Sequence, residues 1–297
     1  MPRYITVTSV LNKTKKRDPW FLDDYTINPY SGCAYNCLYC YIRGSKYGIN
    51  MAEKLSVKTG VTDILRRQLA ARARKQQQGF VVLSSVTDAY QAIEAKELLT
   101  RQVLELLLEY RFPVHIITKS PLVLRDLDLL RQINEAAILP PDLTAYQHKV
   151  FITFSFTTTD TLIARQFEPG APDPAARLQA LQACAAAGFM TGVSGMPLLP
   201  FITDMPVQLE EMYQAFHEHG ARYVFPASLT LWGEQPEDSK TLVLATVKKY
   251  YPQYHDAYTR LFSQNNQVPP AYAAALKAAA ATVAARYDLP SCIPFGK

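Results

Sequence analysis

The chain has 297 residues, 48% hydrophobic and 19% charged, which is enough apolar side chain for a sizeable core and, at a net charge of +5, excludes an intrinsically disordered polymer. No apolar run reaches membrane-spanning length, and Lys13, Lys15, Lys16 and Arg17 are not followed by the apolar stretch of a signal peptide, so a cytoplasmic protein without a membrane partner is expected. Basic runs at Lys13 to Arg17 and Arg66 to Lys75 suit either phosphate neutralisation or a solvated helix face, so charge leaves the partner undecided.

In chain order, residues 1–20 read as an N-terminal arm or short strand, and residues 21–30 as an extended lead into a cysteine-rich stretch where Pro29 and Gly32 oppose regular structure. Thr62 to Gln78 predicts a helix closed by Gly79, and Phe80 to Leu83 a short buried strand with turn-forming residues after it. The alternation continues with a helix over Ala95 to Tyr110, a strand over Val114 to Thr118, a helix over Leu122 to Asn134 and a strand over Val150 to Phe156. Next come a helix over Pro174 to Ala187, a strand over Phe189 to Met196, a helix over Met205 to His219 and a strand over Arg222 to Pro226. Strands separated by helices of this length predict right-handed βαβ units and a parallel sheet, hence an α/β open or partial barrel over 21–228. Beyond Ser228, helices over Lys240 to Tyr250, Tyr254 to Phe262 and Ala271 to Tyr287 predict a helical extension, 229–297, packed on that core.

Asn28 to Arg43 reads NPYSGCAYNCLYCYIR and holds Cys33, Cys37 and Cys40, three of the five cysteines in a C-x3-C-x2-C spacing. Three clustered thiols cannot pair among themselves, and Cys184 and Cys292 lie far off, so a disulfide framework is excluded. A closed zinc site wants four ligands and no obvious fourth lies nearby in sequence, which leaves zinc as the weaker alternative. Thiolates also hold iron–sulfur clusters, and a four-iron cluster held by three cysteines keeps one iron open for a small chelating molecule such as S-adenosylmethionine. The spacing, with Tyr39 before the last cysteine, resembles the signature of the radical SAM superfamily.

Ligands of parallel α/β sheets sit at the carboxyl ends of the strands, which here carry Ser84, Ser85, Thr87 and Asp88, then Thr118 and Lys119, then Ser155. An ammonium at Lys119 suits a ligand carboxylate or, alternatively, caps a surface loop. Tyr41 beside the cysteines reads as part of a radical relay or as packing. Cys184, in QACAAAG, reads as a small core residue, and His115 as a satisfied core histidine. Cys292, in the tail SCIPFGK, is either a packed or exposed tail residue or a thiol folded back over the barrel mouth. Glu168 in FEPGAP fits a turn role as well as a catalytic one.

Together, NPYSGCAYNCLYCY, SSVTDAYQAIEAKELLTRQVLELL, ITKSPLVLRDLDLL, FSFTT, FEPGAPDPAARLQAL and GMPLLPFITD resemble the spore photoproduct lyase-like radical SAM proteins, often labelled DNA repair photolyases, from about Asn28 to about Phe225. The resemblance implies a partial (β/α)6 TIM-like barrel of the radical SAM type and a [4Fe–4S] cluster on Cys33, Cys37 and Cys40. It also implies contacts to S-adenosylmethionine from Thr87, Lys119 and Ser155, with Tyr39 against the adenine. A hydrogen-abstracting enzyme follows, with a nucleic-acid lesion or modified base as substrate and an electron donor such as flavodoxin or ferredoxin. One departure bears on the catalytic pair, Tyr41 and Ser85: true spore photoproduct lyases have a hydrogen-donating cysteine where this chain has Ser85, and a serine O–H bond is much stronger than a thiol S–H. The alternatives are a radical SAM enzyme acting on a peptide or small metabolite, and a zinc- or cluster-stabilised nucleic-acid-binding protein without turnover.

Overall fold

A computed structural model of the chain describes residues 3–44 and 55–295. The strands are β1 (Arg3–Thr6), β2 (Asn12–Lys13), β3 (Tyr25–Ile27), β4 (Tyr30–Ser31), β5 (Ser56–Thr59), β6 (Val81–Leu83), β7 (Val114–Thr118), β8 (Val150–Ser155), β9 (Met190–Leu198) and β10 (Val224–Ser228). The helices are α1 (Val61–Ala73), α2 (Glu94–Glu97), α3 (Leu99–Glu109), α4 (Leu127–Ala136), α5 (Thr161–Phe167), α6 (Pro174–Ala186), α7 (Pro206–Glu218), α8 (Ser239–Tyr250), α9 (His255–Leu261) and α10 (Pro270–Arg286).

The main sheet runs β10-β9-β8-β7-β6-β3-β2, parallel throughout except for β2, which pairs antiparallel with β3 at the edge. Its six parallel strands are the α/β architecture expected from the alternation of apolar runs and amphipathic helices. Strands such as β6, buried at every position, read as continuous apolar runs because helices cover both faces of a parallel sheet. The extended lead over 21–30 contains the first of these strands, β3; the expected arm or short strand at the N-terminus supplies β1, which pairs with β5 and, through it, β4 in a small second sheet, β1-β5-β4.

The single helix expected over Ala95 to Tyr110 is broken at Leu98, which adopts φ 54°. The cause is Glu94: its buried carboxylate accepts the Thr100 N–H (2.8 Å) and the Arg101 N–H (3.3 Å), so it caps a fresh N-terminus for α3. Likewise the helix expected from Leu122 begins as a tight 3-10 turn over Pro121–Asp126 before α4 takes over. Helices α5 and α6 start where Asp160 and Asp173 accept first-turn N–H groups.

One core fills the space between sheet and helices and includes Cys184, as expected of a small core residue. A second joins the cysteine loop to α8 and α9 through Tyr39, Leu199, Leu231, Val243 and Tyr258. A third closes the amino ends of the strands, where Phe80, Phe151, Tyr223 and Phe225 meet Leu22 and the tail residue Ile293. His115 lies in this layer, satisfied by the Phe21 carbonyl (2.8 Å) and the Thr153 hydroxyl (2.6 Å). The tail is pinned there by the Val224 N–H donating to Pro290 O (3.0 Å) and the Gln147 N–H to Phe295 O (3.2 Å). Cys292 is therefore an exposed tail residue at the amino ends, and the fold-back over the barrel mouth is corrected: a five-residue strand, about 16 Å long, separates the two ends. Among the described residues no helix is long and apolar enough to cross a membrane.

Candidate cofactor site

The cysteine loop leaves β4 and lies across the carboxyl ends of the parallel strands. Its own turns hold it: Cys40 N–H to Cys37 O (3.2 Å), Arg43 N–H to Cys40 O (2.9 Å), and the buried Arg43 guanidinium to Cys37 O (2.9 Å) and to Glu237 O (3.1 Å) beyond β10. All three thiols are free. Among the described residues no three His, Cys, Asp or Glu side chains converge as ligands of one ion. The thiols are near enough to bear on one another: Cys40 raises the pKa of Cys33, and Cys33 and Cys40 that of Cys37, each as a lesser cause than burial. Burial pushes the Cys33 thiol up to about 12, Asp88 adding to the effect and backbone N–H groups of Tyr35 and Asp88 opposing it. Burial raises Cys37 and Cys40 as well, partly offset by the charge of Lys119. Desolvated thiols of this kind ionise when metal takes the proton's place, so the donor set fits a thiolate-held cluster.

Two segments clamp the loop from outside. After β6, Ser84 turns the chain with φ 79° while its hydroxyl accepts the Ala89 N–H at 2.6 Å. Beyond that turn Thr87 donates to Gly32 O (2.6 Å), and Gln91, fully buried, donates to Gly32 O (3.3 Å) and accepts the Ala34 N–H, gripping both sides of Cys33. After α5, the Leu38 N–H donates to Phe167 O (2.8 Å) and the Gly170 N–H to Tyr35 O (3.0 Å). Gly170 is required here, because a Cβ would stand 2.2 Å from Ala34 O.

Between these clamps lies a buried ionic cluster. Glu168 accepts the Tyr39 hydroxyl and the Arg177 guanidinium, and Lys119 Nζ stands 3.7 Å from its Oε1. Burial alone would raise the Glu168 pKa, but Lys119 and Arg177 carry it below the ordinary carboxylate value. Lys119 is thus no surface cap: only 11% of its side chain is exposed, its Nζ sits 6.0 Å from the centre of the Tyr39 ring, and its ammonium makes no hydrogen bond among the described residues. Tyr39 itself is buried, its oxygen also accepting from Thr157 (2.8 Å). Asp88 ties the β6 and β7 ends together, accepting from the Thr118 hydroxyl (2.8 Å) and the Lys119 N–H (2.8 Å). Ser155 closes β8, its carbonyl accepting from Arg177 (3.2 Å) and its hydroxyl without a hydrogen bond among the described residues. Ser85 and Tyr41 meet: the Tyr41 hydroxyl donates to Ser85 O, and Asn28 Nδ2 donates to Ser85 Oγ at 3.0 Å.

The strand ends thus bring together Thr87, Lys119, Ser155, Ser85 and Tyr41 around Cys33, Cys37 and Cys40. Sequence reasoning missed Gln91 and Arg177, and left Glu168 between a turn role and a catalytic one. A signal existed for Glu168, since a carboxylate between Phe167 and Pro169 followed by Gly170 marks a tight approach, but its partners, 129 and 49 residues away for Tyr39 and Lys119, leave no local trace.

The sequence profile of the Radical SAM superfamily matches residues 27–214. The chain belongs to the radical SAM superfamily. Members of this superfamily use a [4Fe–4S] cluster and S-adenosylmethionine. Among relatives, an uncharacterized protein of Mycobacterium tuberculosis is 29% identical over 271 residues, covering 89% of this chain and 75% of its own length. One of Methanocaldococcus jannaschii is 29% identical over 184 residues, 61% of this chain and 62% of its own. Among solved structures, spore photoproduct lyase complexed with dinucleoside spore photoproduct superposes with a TM-score of 0.62 at 16% identity, over 97% of this chain and 81% of that one. Streptococcus suis SuiB bound to S-adenosylmethionine gives 0.51 at 13% identity, over 79% and 47%. At such identities the likeness shows a shared radical SAM fold.

Proposed function

We propose that this radical SAM protein holds its cluster on Cys33, Cys37 and Cys40, binds S-adenosylmethionine beside it, and abstracts hydrogen from a nucleic-acid lesion or modified base. The observation that carries the reading is the seat itself: three free, desolvated thiols on one clamped loop at the carboxyl ends of six parallel strands, with a part-buried ammonium that makes no hydrogen bond among the described residues. When bound, cluster and S-adenosylmethionine together supply a 5′-deoxyadenosyl radical.

This chain's residues do the rest. Lys119, its Nζ 3.7 Å from Glu168 Oε1, offers a cation for the methionyl carboxylate. Thr87 fixes the loop at Gly32, Tyr39 sets the floor, and Ser155 presents a hydroxyl at the strand end. Tyr41 and Ser85 face the substrate side. Ser85 is a poor hydrogen-atom donor, so the Tyr41 phenol, held at the Ser85 carbonyl and a slower donor than a thiol, gives its hydrogen atom to the substrate radical. The phenoxyl left behind takes one electron from the reductant and one proton from water. Free thiols and a reducible cluster suit a cytoplasmic setting with flavodoxin or ferredoxin as electron donor. The lesion as substrate rests on the sequence resemblance and on the superposition with a lyase complexed with dinucleoside spore photoproduct.

The test is anaerobic reconstitution to about four irons per chain, followed by incubation with deuterated spore photoproduct. Label in 5′-deoxyadenosine supports the reading, with clean repair low in wild type and improved in Ser85→Cys. Stoichiometric zinc in the native protein, or label drawn from a peptide or metabolite but never from a nucleic acid, overturns it.

A further inference from the structure

The small sheet β1-β5-β4 has no part in the chemistry above, yet it sets one charge at the substrate side. Strand β5 is pinned to the stretch that leads into Cys33, with Tyr30 opposite Val57, Ser31 opposite Ser56, and the Lys58 N–H donating to Pro29 O at 3.4 Å. This places Lys58 Nζ 2.7 Å from Asn28 O. Asn28 is buried and its amide makes two bonds at the opposite end: Nδ2 donates to Ser85 Oγ and Oδ1 accepts the Val86 N–H at 3.1 Å. Lys58, Asn28, Ser85 and Tyr41 therefore form one contiguous hydrogen-bonded row, and Tyr41, at its end, leaves 55% of its surface to solvent.

What sets Lys58 apart is its missing counter-charge. Among the described residues it forms no ion pair, and its Nζ spends one N–H on a backbone carbonyl, with no second acceptor among them. Burial lowers its pKa, and no acidic neighbour among the described residues opposes this. Other buried or part-buried cations near the site, such as Lys119, Arg125 and Arg177, each lean on a carboxylate. A half-buried ammonium without an acid is costly to keep unless an anion arrives from outside.

We propose that Lys58 is a substrate-binding residue that takes the phosphodiester linking the two nucleotides of a lesion whose bases lie over Ser85 and Tyr41. This deepens, and rests on, the nucleic-acid reading of the site. A phosphodiester matches the chemistry: a single diffuse charge with free oxygens accepts the ammonium's remaining N–H groups, and a lysine serves it as a point cation.

The reconstituted holoprotein is titrated with the thymidine dinucleotide, which has one phosphodiester, and with its uncharged methylphosphonate analogue. Binding is read by chemical-shift perturbation of the ligand, and iron content confirms that each variant retains its cluster. Wild type binds the charged dinucleotide about tenfold more tightly, as one charge-assisted contact predicts. Lys58→Gln removes the preference and Lys58→Arg restores it. Equal affinity for both ligands in wild type, or a preference that persists in Lys58→Gln, overturns the assignment while leaving the nucleic-acid reading intact. No binding of either dinucleotide overturns both.

Discussion

Glu168→Gln is the sharpest perturbation of the ionic cluster, because it keeps the shape of the side chain and its ability to accept from Tyr39 while deleting one charge. In the native protein Glu168 and Arg177 are each 1% exposed at the side chain and bonded directly to one another. The variant leaves the guanidinium with only neutral acceptors, Pro172 O at 2.8 Å and Ser155 O at 3.2 Å. Breaking a buried pair from one side costs about 3–5 kcal/mol, since the remaining charge stays desolvated. Lys119 adds little to this loss because its partly exposed ammonium can take up water. The assay is urea unfolding of the metal-free, reduced chain followed by far-UV circular dichroism, comparing midpoints at unchanged slope. Adding Arg177→Met should recover much of the loss, because it removes the orphaned charge and keeps apolar volume. A loss below about 1 kcal/mol, the range of an exposed ion pair, would refute the claim that this cluster is sealed from solvent.

Alanine at Cys33, Cys37 or Cys40 should abolish cluster absorbance and reductive cleavage of S-adenosylmethionine together, whereas Cys184→Ala and Cys292→Ala should keep both; retention of both in a loop variant would remove that cysteine from the ligand set. Lys119→Ala should weaken S-adenosylmethionine binding by about 1.5–3 kcal/mol with iron content retained, measured by calorimetry, and an unchanged affinity would release Lys119 from the cofactor site. Burial holds the His115 pKa down at about 4, so the unfolded chain takes the proton first. Stability is therefore full above about pH 6.5 and falls by up to about 3 kcal/mol as pH drops toward 4. His115→Gln should flatten that limb of a pH series of urea midpoints.

The parallel sheet was legible because five of its six parallel strands are local apolar runs separated by helices with their own period, whereas β3, three residues long, read only as an extended lead. Boundaries failed where a distant side chain intervened: nothing near Leu98 announces a break, which depends on Glu94 turning its carboxylate onto the next helix. Cys33, Cys37 and Cys40 were legible because the ligand spacing is itself local. Glu168, Gln91 and Arg177 were not, because their role is to hold a loop that precedes them by 50 or more residues, and a sequence records a clamp only as an ordinary polar residue. Cys292 shows the converse, a chemically suggestive thiol that the packing of Ile293 carries to the wrong end of the barrel.

The two outer ties of the cysteine loop also fix when its seat can exist during synthesis. Glu168 and Gly170 reach Tyr39 and Ala34 from the far side of the chain, and the Arg43 guanidinium is anchored at Glu237 O, 194 positions downstream. A ribosome adding about 5–20 residues per second needs on the order of 10–40 seconds to pass from one to the other. Throughout that interval the three thiols are made but unhoused, open to oxidation and to stray metals. Delivery of iron and sulfide must then act on a chain that is nearly complete, and carriers that shield nascent thiols should raise the yield of loaded protein more than any excess of iron supplied at the start.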